Sequence, residues 1–198
     1  MWQEAEEFLL KDKYIGSLVK TWGHCSIKFR AEKDYFGHIA GNIIGQQLSG
    51  KVANVIEARF VKAIGGKVTP EAILNTPDQN LRGCGMSWGK VSYVRDLALK
   101  TKNGDVQTKR LASLTDEEVI KELITVKGIG RWTAEMFLMF SLARPDVFPV
   151  DDLGIKKGFE KVTGKTWDKV QSAKFAEKQW KPYRSIASWY LWRSLENR

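Results

Sequence analysis

The sequence predicts an all-α fold, and three observations carry that expectation. Apolar residues recur at helical spacing along most of the chain. No run of short alternating strands occurs. Glycine stops and polar starts fall where the apolar faces end and begin. The spacing predicts a first helix over residues 3–11 and a long one over 35–64, where Ile39, Ile43, Ile44, Leu48, Val52, Val55, Ile56 and Phe60 share a recurrent face. Gly65-Gly66 ends it, since glycine takes the left-handed conformation of a helix end without a Cβ penalty. Short helices follow over 70–74 and 78–84. The next spans 88–100, with Val91, Val94, Leu97 and Ala98 inward and a turn at Asn103-Gly104.

Thr115 and Glu118 form a capping box, and Leu114 can staple to Val119, so a helix is expected to about residue 124. Lys127-Gly128-Ile129-Gly130 interrupts it. Residues 131–143 are apolar almost all round, which predicts a buried central helix. Pro145 and Pro149 bracket a loop leading to Asp151-Asp152 and another helix start, and residues 174–195 close the chain as helix with a break at Pro182. Repeats, linkers and low-complexity tracts are absent from the sequence.

A chain of 198 residues with 43% apolar content can fill one full core or two small lobes. Lys plus Arg number 32 against 23 Asp plus Glu, and the formal charge of +9 favours a polyanionic partner, nucleic acid first. A basic membrane-surface protein would need an amphipathic basic helix or a lipidation signal, and neither is present. Cys25 and Cys84 are too few and too far apart for a zinc site, an iron–sulfur cluster or a disulfide framework, which points to a reducing compartment. The opening MWQEAEEFLLKDK is acidic and lacks the order of a signal peptide, and no apolar run approaches membrane-spanning length. The expectation is a soluble intracellular protein. Eight tryptophans serve a core as readily as a binding site, so their positions must decide.

Two glycines around one aliphatic residue, Gly128-Ile129-Gly130, have three interpretations. A dinucleotide fingerprint wants a preceding strand and a third glycine at position 133, which is Thr133, and the preceding segment carries a helix cap. A plain interhelical turn is the second, since glycine tolerates positive φ. The third is a hairpin whose amides, at the start of the next helix, face a backbone phosphate. Ile129 would anchor it and basic Lys127 and Arg131 would flank it.

The stretch LITVKGIGRWTAEMFLMFSLARPDVFPVDDLGI, residues 123–155, resembles the helix-hairpin-helix, Gly/Pro-rich loop and Asp signature of the base-excision DNA glycosylase superfamily. Within it, GIGRWTAEMF followed by DVFPVDDLGI is similar to the alkyladenine branch, 3-methyladenine DNA glycosylase II and its yeast relatives. IIGQQLSGKVA at 43–53 is similar to that branch's helix with the duplex-probing residue, and WKPYRSIASWYLWR at 180–193 to its C-terminal pocket helix. LRGCGMSWGKVSYVRDLA at 81–98 also fits, so the resemblance runs from about residue 35 onward. It implies a two-lobe fold with the DNA and base cleft between the lobes. The first lobe is expected over about 1–34 plus 150–198, and the second over about 35–149 with the hairpin at 127–131. The chain resembles the compact yeast and archaeal members that lack an additional N-terminal α/β domain.

The resemblance also implies residue roles, each beside a plainer alternative. Asp152 matches the catalytic carboxylate, with Ile155 keeping the register. The alternative is helix N-capping, which adjacent Asp151 could take instead. A carboxylate beside C1′ would stabilise an oxocarbenium-like transition state and orient water. Trp132 stands where bifunctional relatives carry a Schiff-base lysine, which implies base release without strand cleavage; Lys127 and Lys156 are the nearby lysines that could undermine this. Trp132, Met136 and Trp192 correspond to the base pocket, against core packing, with Phe36 and Tyr190 as weaker candidates. Met136 departs from the aromatic often found there. Electron-rich rings attract a cationic base by about 0.5–2 kcal/mol.

Gln47 aligns with the wedge that fills the gap left by an extruded base, and Gln46 with a contact to the opposite strand or pocket; both could instead cap a helix or face solvent. The hairpin residues Lys127, Gly128, Ile129, Gly130, Arg131 and Thr133, together with Lys51 and Arg184, are the expected DNA contacts. Hairpins of this superfamily commonly bind Na+ or K+ through main-chain carbonyls, here those of Ile124, Val126 and Ile129, and no other cofactor is expected. The expected partner is damaged double-stranded DNA, bound by a monomer without membrane association. The expected location is the nucleoid of a prokaryote or the nucleus of a eukaryote. Two alternatives stay open: a non-enzymatic helix-hairpin-helix DNA-binding module, and a glycosylase for deaminated bases.

Overall fold

Helices are the regular elements throughout the computed structural model, which describes residues 1–31 and 34–196. Twelve α-helices and a 3-10 turn at Thr108–Ser113 are found among the described residues, in agreement with the all-α expectation. They divide into two compact units, Met1–Phe29 with Leu138–Arg198, and Arg30–Phe137. The division falls inside a helix at 137/138, whereas the sequence placed it in the proline loop at 149/150, because the pattern marks loops but not which core a helix joins.

The first unit contains α1 (Gln3–Leu10), α2 (Gly16–Trp22), α10 (Leu153–Thr163), α11 (Lys169–Trp180) and α12 (Arg184–Arg193). Its most enclosed helix is α12, where every residue from Ser185 to Leu191 is buried. Small side chains make that possible: Gly158 on α10 lies so close to α12 that a Cβ there would meet the Leu191 carbonyl oxygen at 2.5 Å. Beneath α11, Trp180 is fully buried, with the rings of Phe148, Phe159 and Phe175 around it. This tryptophan therefore belongs to packing. Helix α2 had no strong period in the sequence, and α11 starts five residues before the expected position because Asp168 caps it through the Gln171 amide, 2.8 Å.

The second unit holds α3 (Tyr35–Gly45), α4 (Gly50–Ala63), α5 (Pro70–Asn75), α6 (Asp78–Gly83), α7 (Trp88–Asn103) and α8 (Asp116–Leu123), and the larger part of α9 (Arg131–Phe140). Helix α7 packs on α3 and α5 through Val91, Val94, Leu97 and Ala98, the four residues expected to face inward. The capping box of α8 is formed: the Thr115 amide donates to Glu118 at 2.8 Å, and the Glu118 amide to the Thr115 hydroxyl at 3.4 Å.

Two expectations are corrected here. The long helix over 35–64 is two helices broken at Gln46 and Gln47, and Val52 and Val55, read as inward, are 45% and 46% exposed. The apolar period continues across the break, so pattern alone joined what the turn separates. The helix expected over 131–143 stops at Phe140, where the left-handed Ala143 lets the Arg144 amide reach back to the Leu138 carbonyl at 2.9 Å. It is not apolar-buried all round either, since Trp132 and Phe140 are both more than a third exposed.

Candidate functional site

In the first unit, Asp152 is the N-cap of α10. Its Oδ1 accepts the Ile155 amide at 2.7 Å and the Trp192 indole Nε1–H at 2.8 Å. The sequence suggested that Asp151 would take the cap and leave Asp152 unencumbered. Instead Asp151 pairs with Lys169 at 2.6 Å, and Asp152 caps the helix while also receiving a tryptophan from 40 residues away. Capping and a chemical role are compatible, because the Ile155 amide and the Trp192 indole orient the carboxylate and leave its charge in place. Gly154 permits it: a Cβ there would lie 2.7 Å from the Trp192 ring and 3.0 Å from Asp152 Oδ1. Trp192 also lies against Phe140, with ring centroids 5.8 Å apart.

Two expected residues of this unit have structural employment. Tyr190 is fully buried, and its hydroxyl donates to the Gly23 carbonyl at 2.7 Å; burial raises its pKa, with Glu6 adding to it. It belongs to the core rather than to a base pocket. Arg184, expected at a phosphate, is bonded to the Asp146 carboxylate at 2.7 and 2.9 Å and to its carbonyl at 3.1 Å, which fixes the start of α12. Cys25 is a buried thiol pushed up to about 12 chiefly by desolvation.

In the second unit, the Gly128-Ile129-Gly130 turn links α8 to α9. Gly128 has φ +78°, and the Tyr93 ring lies where its Cβ would be, 2.1 Å away. Ile129 is buried as the anchor, and its amide donates to the Val126 carbonyl at 3.1 Å. The Lys127 amide is taken by the Asp96 carboxylate at 2.8 Å. The Gly128 and Gly130 amides donate to no group among the described residues, and both glycines are exposed. The hairpin therefore presents two amides outward at the positive end of α9, a chemistry suited to an oxyanion.

Its flanks differ from expectation. Arg131 is bound by Glu117 at 2.6 and 3.2 Å and by Glu135 at 3.1 Å, which holds its pKa high through the Glu117 bonds first. It ties α8 to α9 rather than offering an unneutralised charge. Thr133 is 7% exposed and turned towards Gln46, at 3.4 Å, instead of outward. Lys127 and Lys51 are exposed.

Gln46 and Gln47 occupy the turn between α3 and α4. The Gln46 side-chain amide donates to the Gly128 carbonyl at 2.8 Å, so this residue buttresses the hairpin, a role the sequence did not assign. It is also the C-cap of α3, as the plainer alternative had it. Gln47 is exposed with φ +58°, a conformation that costs a non-glycine residue about 1–2 kcal/mol. Gln46, Gln47, Trp132, Thr133 and Met136 line one groove of about 780 Å³ within this unit, floored by Gly37, Gly41 and Gly45 of α3. Phe36 is buried and does not line it. His38, at the groove, has a lowered pKa, from burial first and Arg30 second. Asp96, Tyr93 and Gly154 escaped sequence reasoning, because their partners are tens of residues away and no local pattern marks them.

Comparison with known proteins identifies the family. Residues 40–183 match the HhH-GPD superfamily base excision DNA repair protein family. DNA-3-methyladenine glycosylase 1 of Schizosaccharomyces pombe is 38% identical over 168 residues, covering 82% of this chain and 73% of the relative. The DNA-3-methyladenine glycosylase of Saccharomyces cerevisiae is 35% identical, covering 81% and 67%. The solved S. pombe 3-methyladenine DNA glycosylase Mag1 in complex with abasic DNA superposes with a TM-score of 0.86 at 34% identity, over 97% of this chain and 96% of that one. The chain belongs to the HhH-GPD superfamily of base excision DNA repair proteins.

Proposed function

We propose that the protein hydrolyses the N-glycosidic bond of alkylated purines in duplex DNA, after turning the base out of the helix, and leaves an abasic site without cutting the strand. The observation that carries this is the Asp152 carboxylate, held by the Ile155 amide and the Trp192 indole on one oxygen. A preorganised anion of this kind stabilises positive charge developing at C1′. The C1′–N bond breaks with its electron pair moving to the base, and an already cationic methylated purine departs neutral. Water adds to C1′ and its proton passes to the carboxylate or to solvent. Because the leaving group carries its own positive charge, one carboxylate suffices.

Each unit supplies a share of the chemistry. The exposed ring of Trp132 favours a cationic base over a neutral one by about 0.5–2 kcal/mol. Exposed, left-handed Gln47 suits a side chain that fills a vacated base position, and the outward amides of Gly128 and Gly130 suit a phosphate. Trp132 offers no amine for a Schiff base. A monovalent cation suits the hairpin as the resemblance implies: the main-chain oxygens of Ile124, at the negative end of α8, of Val126, which also accepts the Ile129 amide at 3.1 Å, and of Ile129 would hold it. It would supply positive charge near a bound phosphate.

The test is base release from methylated duplex DNA, with free base and strand breaks scored separately. Release of methylpurine from strands that stay intact until alkali treatment is expected. Nicking with a borohydride-trapped adduct would reject the monofunctional assignment, and release solely from deaminated duplexes would move the substrate class. No release from any damaged duplex, with binding retained, would leave a DNA-binding module.

A further inference from the structure

We propose that Lys90 is a positioning residue for Gln47, holding the α3–α4 turn in the pose that lets Gln47 enter the duplex. This rests on the glycosylase reading only for its biological use. The geometry belongs wholly to the second unit. Lys90 sits in the first turn of α7, and its Nζ donates to the Ile44 and Gln46 carbonyls, both at 2.7 Å. These carbonyls belong to the last turn and the C-cap of α3, where a helix leaves acceptors unpaired and its dipole is negative. The ammonium is half-buried, and desolvation lowers its pKa. It is therefore spent on two main-chain oxygens and is not an outward surface charge.

Gln46 is gripped a second time, since its side-chain amide donates to the Gly128 carbonyl at 2.8 Å. The residue before Gln47 is thus fixed by its carbonyl to α7 and by its side chain to the phosphate-facing hairpin. Gln47 itself holds φ +58° while exposed. A strained residue persists only where its surroundings over-determine it. Here Lys90 and Gln46 provide that constraint, and nothing on Gln47's own solvent side is needed. The same arrangement ties wedge to grip: a phosphate that orders the hairpin also orders the carbonyl that receives Gln46.

The experiment uses the full chain and a duplex with an abasic analogue flanked by 2-aminopurine, whose fluorescence rises when neighbouring bases unstack. Anisotropy on the same duplex gives affinity. In Lys90→Met the rise at saturating protein is expected to fall to less than about half of wild type, as in Gln47→Ala, while affinity changes by less than about threefold, because wedge insertion and phosphate contact are separate contributions. Lys90→Arg keeps charge and donors and should restore much of the rise. Lys90→Gln, neutral and shorter, reads the same property if the Met variant does not fold. An undiminished rise in every Lys90 variant that binds, or no rise in wild type, would overturn the proposal. Base release is scored independently: a wild type that inserts its wedge but releases no base would reject the glycosylase reading and leave the Lys90 assignment standing.

Discussion

Asp152→Asn is expected to lower methylpurine release by about 10²- to 10³-fold or more, the scale of removing one preorganised charge-stabilising group from an active site. Asparagine is isosteric and is itself a good N-cap, so its Oδ1 can still accept the Ile155 amide and the Trp192 indole. The substitution removes the negative charge and keeps these two bonds. Thermal stability and affinity for an abasic duplex should therefore stay close to wild type. Single-turnover release of free base, measured beside a melting curve, checks the point. A variant that releases base at the wild-type rate would take Asp152 out of the chemistry and leave it a helix cap. A variant that loses both release and stability would show that the charge serves the fold.

Gly128→Ala is the second large effect, and it should fall on DNA binding and stability together. The alanine Cβ meets the Tyr93 ring at 2.1 Å and must accept φ +78°, for a combined cost of about 2–5 kcal/mol from overpacking and left-handed strain. Relaxation would displace the amides that face outward at the hairpin. Loss of a charge-assisted hydrogen bond to phosphate weakens affinity about tenfold or more, while the slope of log affinity against log salt, which cationic side chains set, should stay close to wild type. Gly130→Ala is the informative contrast. A Cβ at 130 meets nothing within 4 Å, so the variant should melt like wild type. If a phosphate approaches that backbone, binding still falls. Salt titrations of both variants on the same duplex decide between the hairpin as a grip and as a turn, and unchanged affinity in Gly130→Ala would favour the turn.

Most helix identities were legible because burial and capping write themselves into local sequence. Thr115 and Glu118 make the box that starts α8, Gly104 is left-handed at the end of α7, and the inward face of α7 lies where periodicity put it. Breaks inside an unbroken period were not legible. Residues 35–64 keep their apolar rhythm through Gln46 and Gln47, and the turn there is stabilised by Lys90, 44 positions beyond Gln46. Charges were the least legible feature of the candidate site. Arg131 and Arg184 read as available cations, yet Glu117, Glu135 and Asp146 neutralise them, because an ion pair depends on which faces meet rather than on composition. Trp192 and Tyr190, two residues apart on α12, both read as base-pocket residues, Tyr190 as the weaker candidate. One donates to Asp152 and the other to the Gly23 carbonyl, since neighbouring positions on a helix point to different sides.

The sequence by itself determined the helical class, the glycines between α8 and α9 and the basic charge, all of which rest on interactions within a few residues or on sums over the chain. Tertiary structure alone decided that the Trp192 indole reaches Asp152 and that Gln46 serves the hairpin. It also decided that Lys90 donates to the Ile44 and Gln46 carbonyls at the end of α3. These are matters of side-chain direction between elements far apart in the chain. A hydrogen bond requires heavy atoms within about 3 Å and near alignment, which only the packed fold can specify.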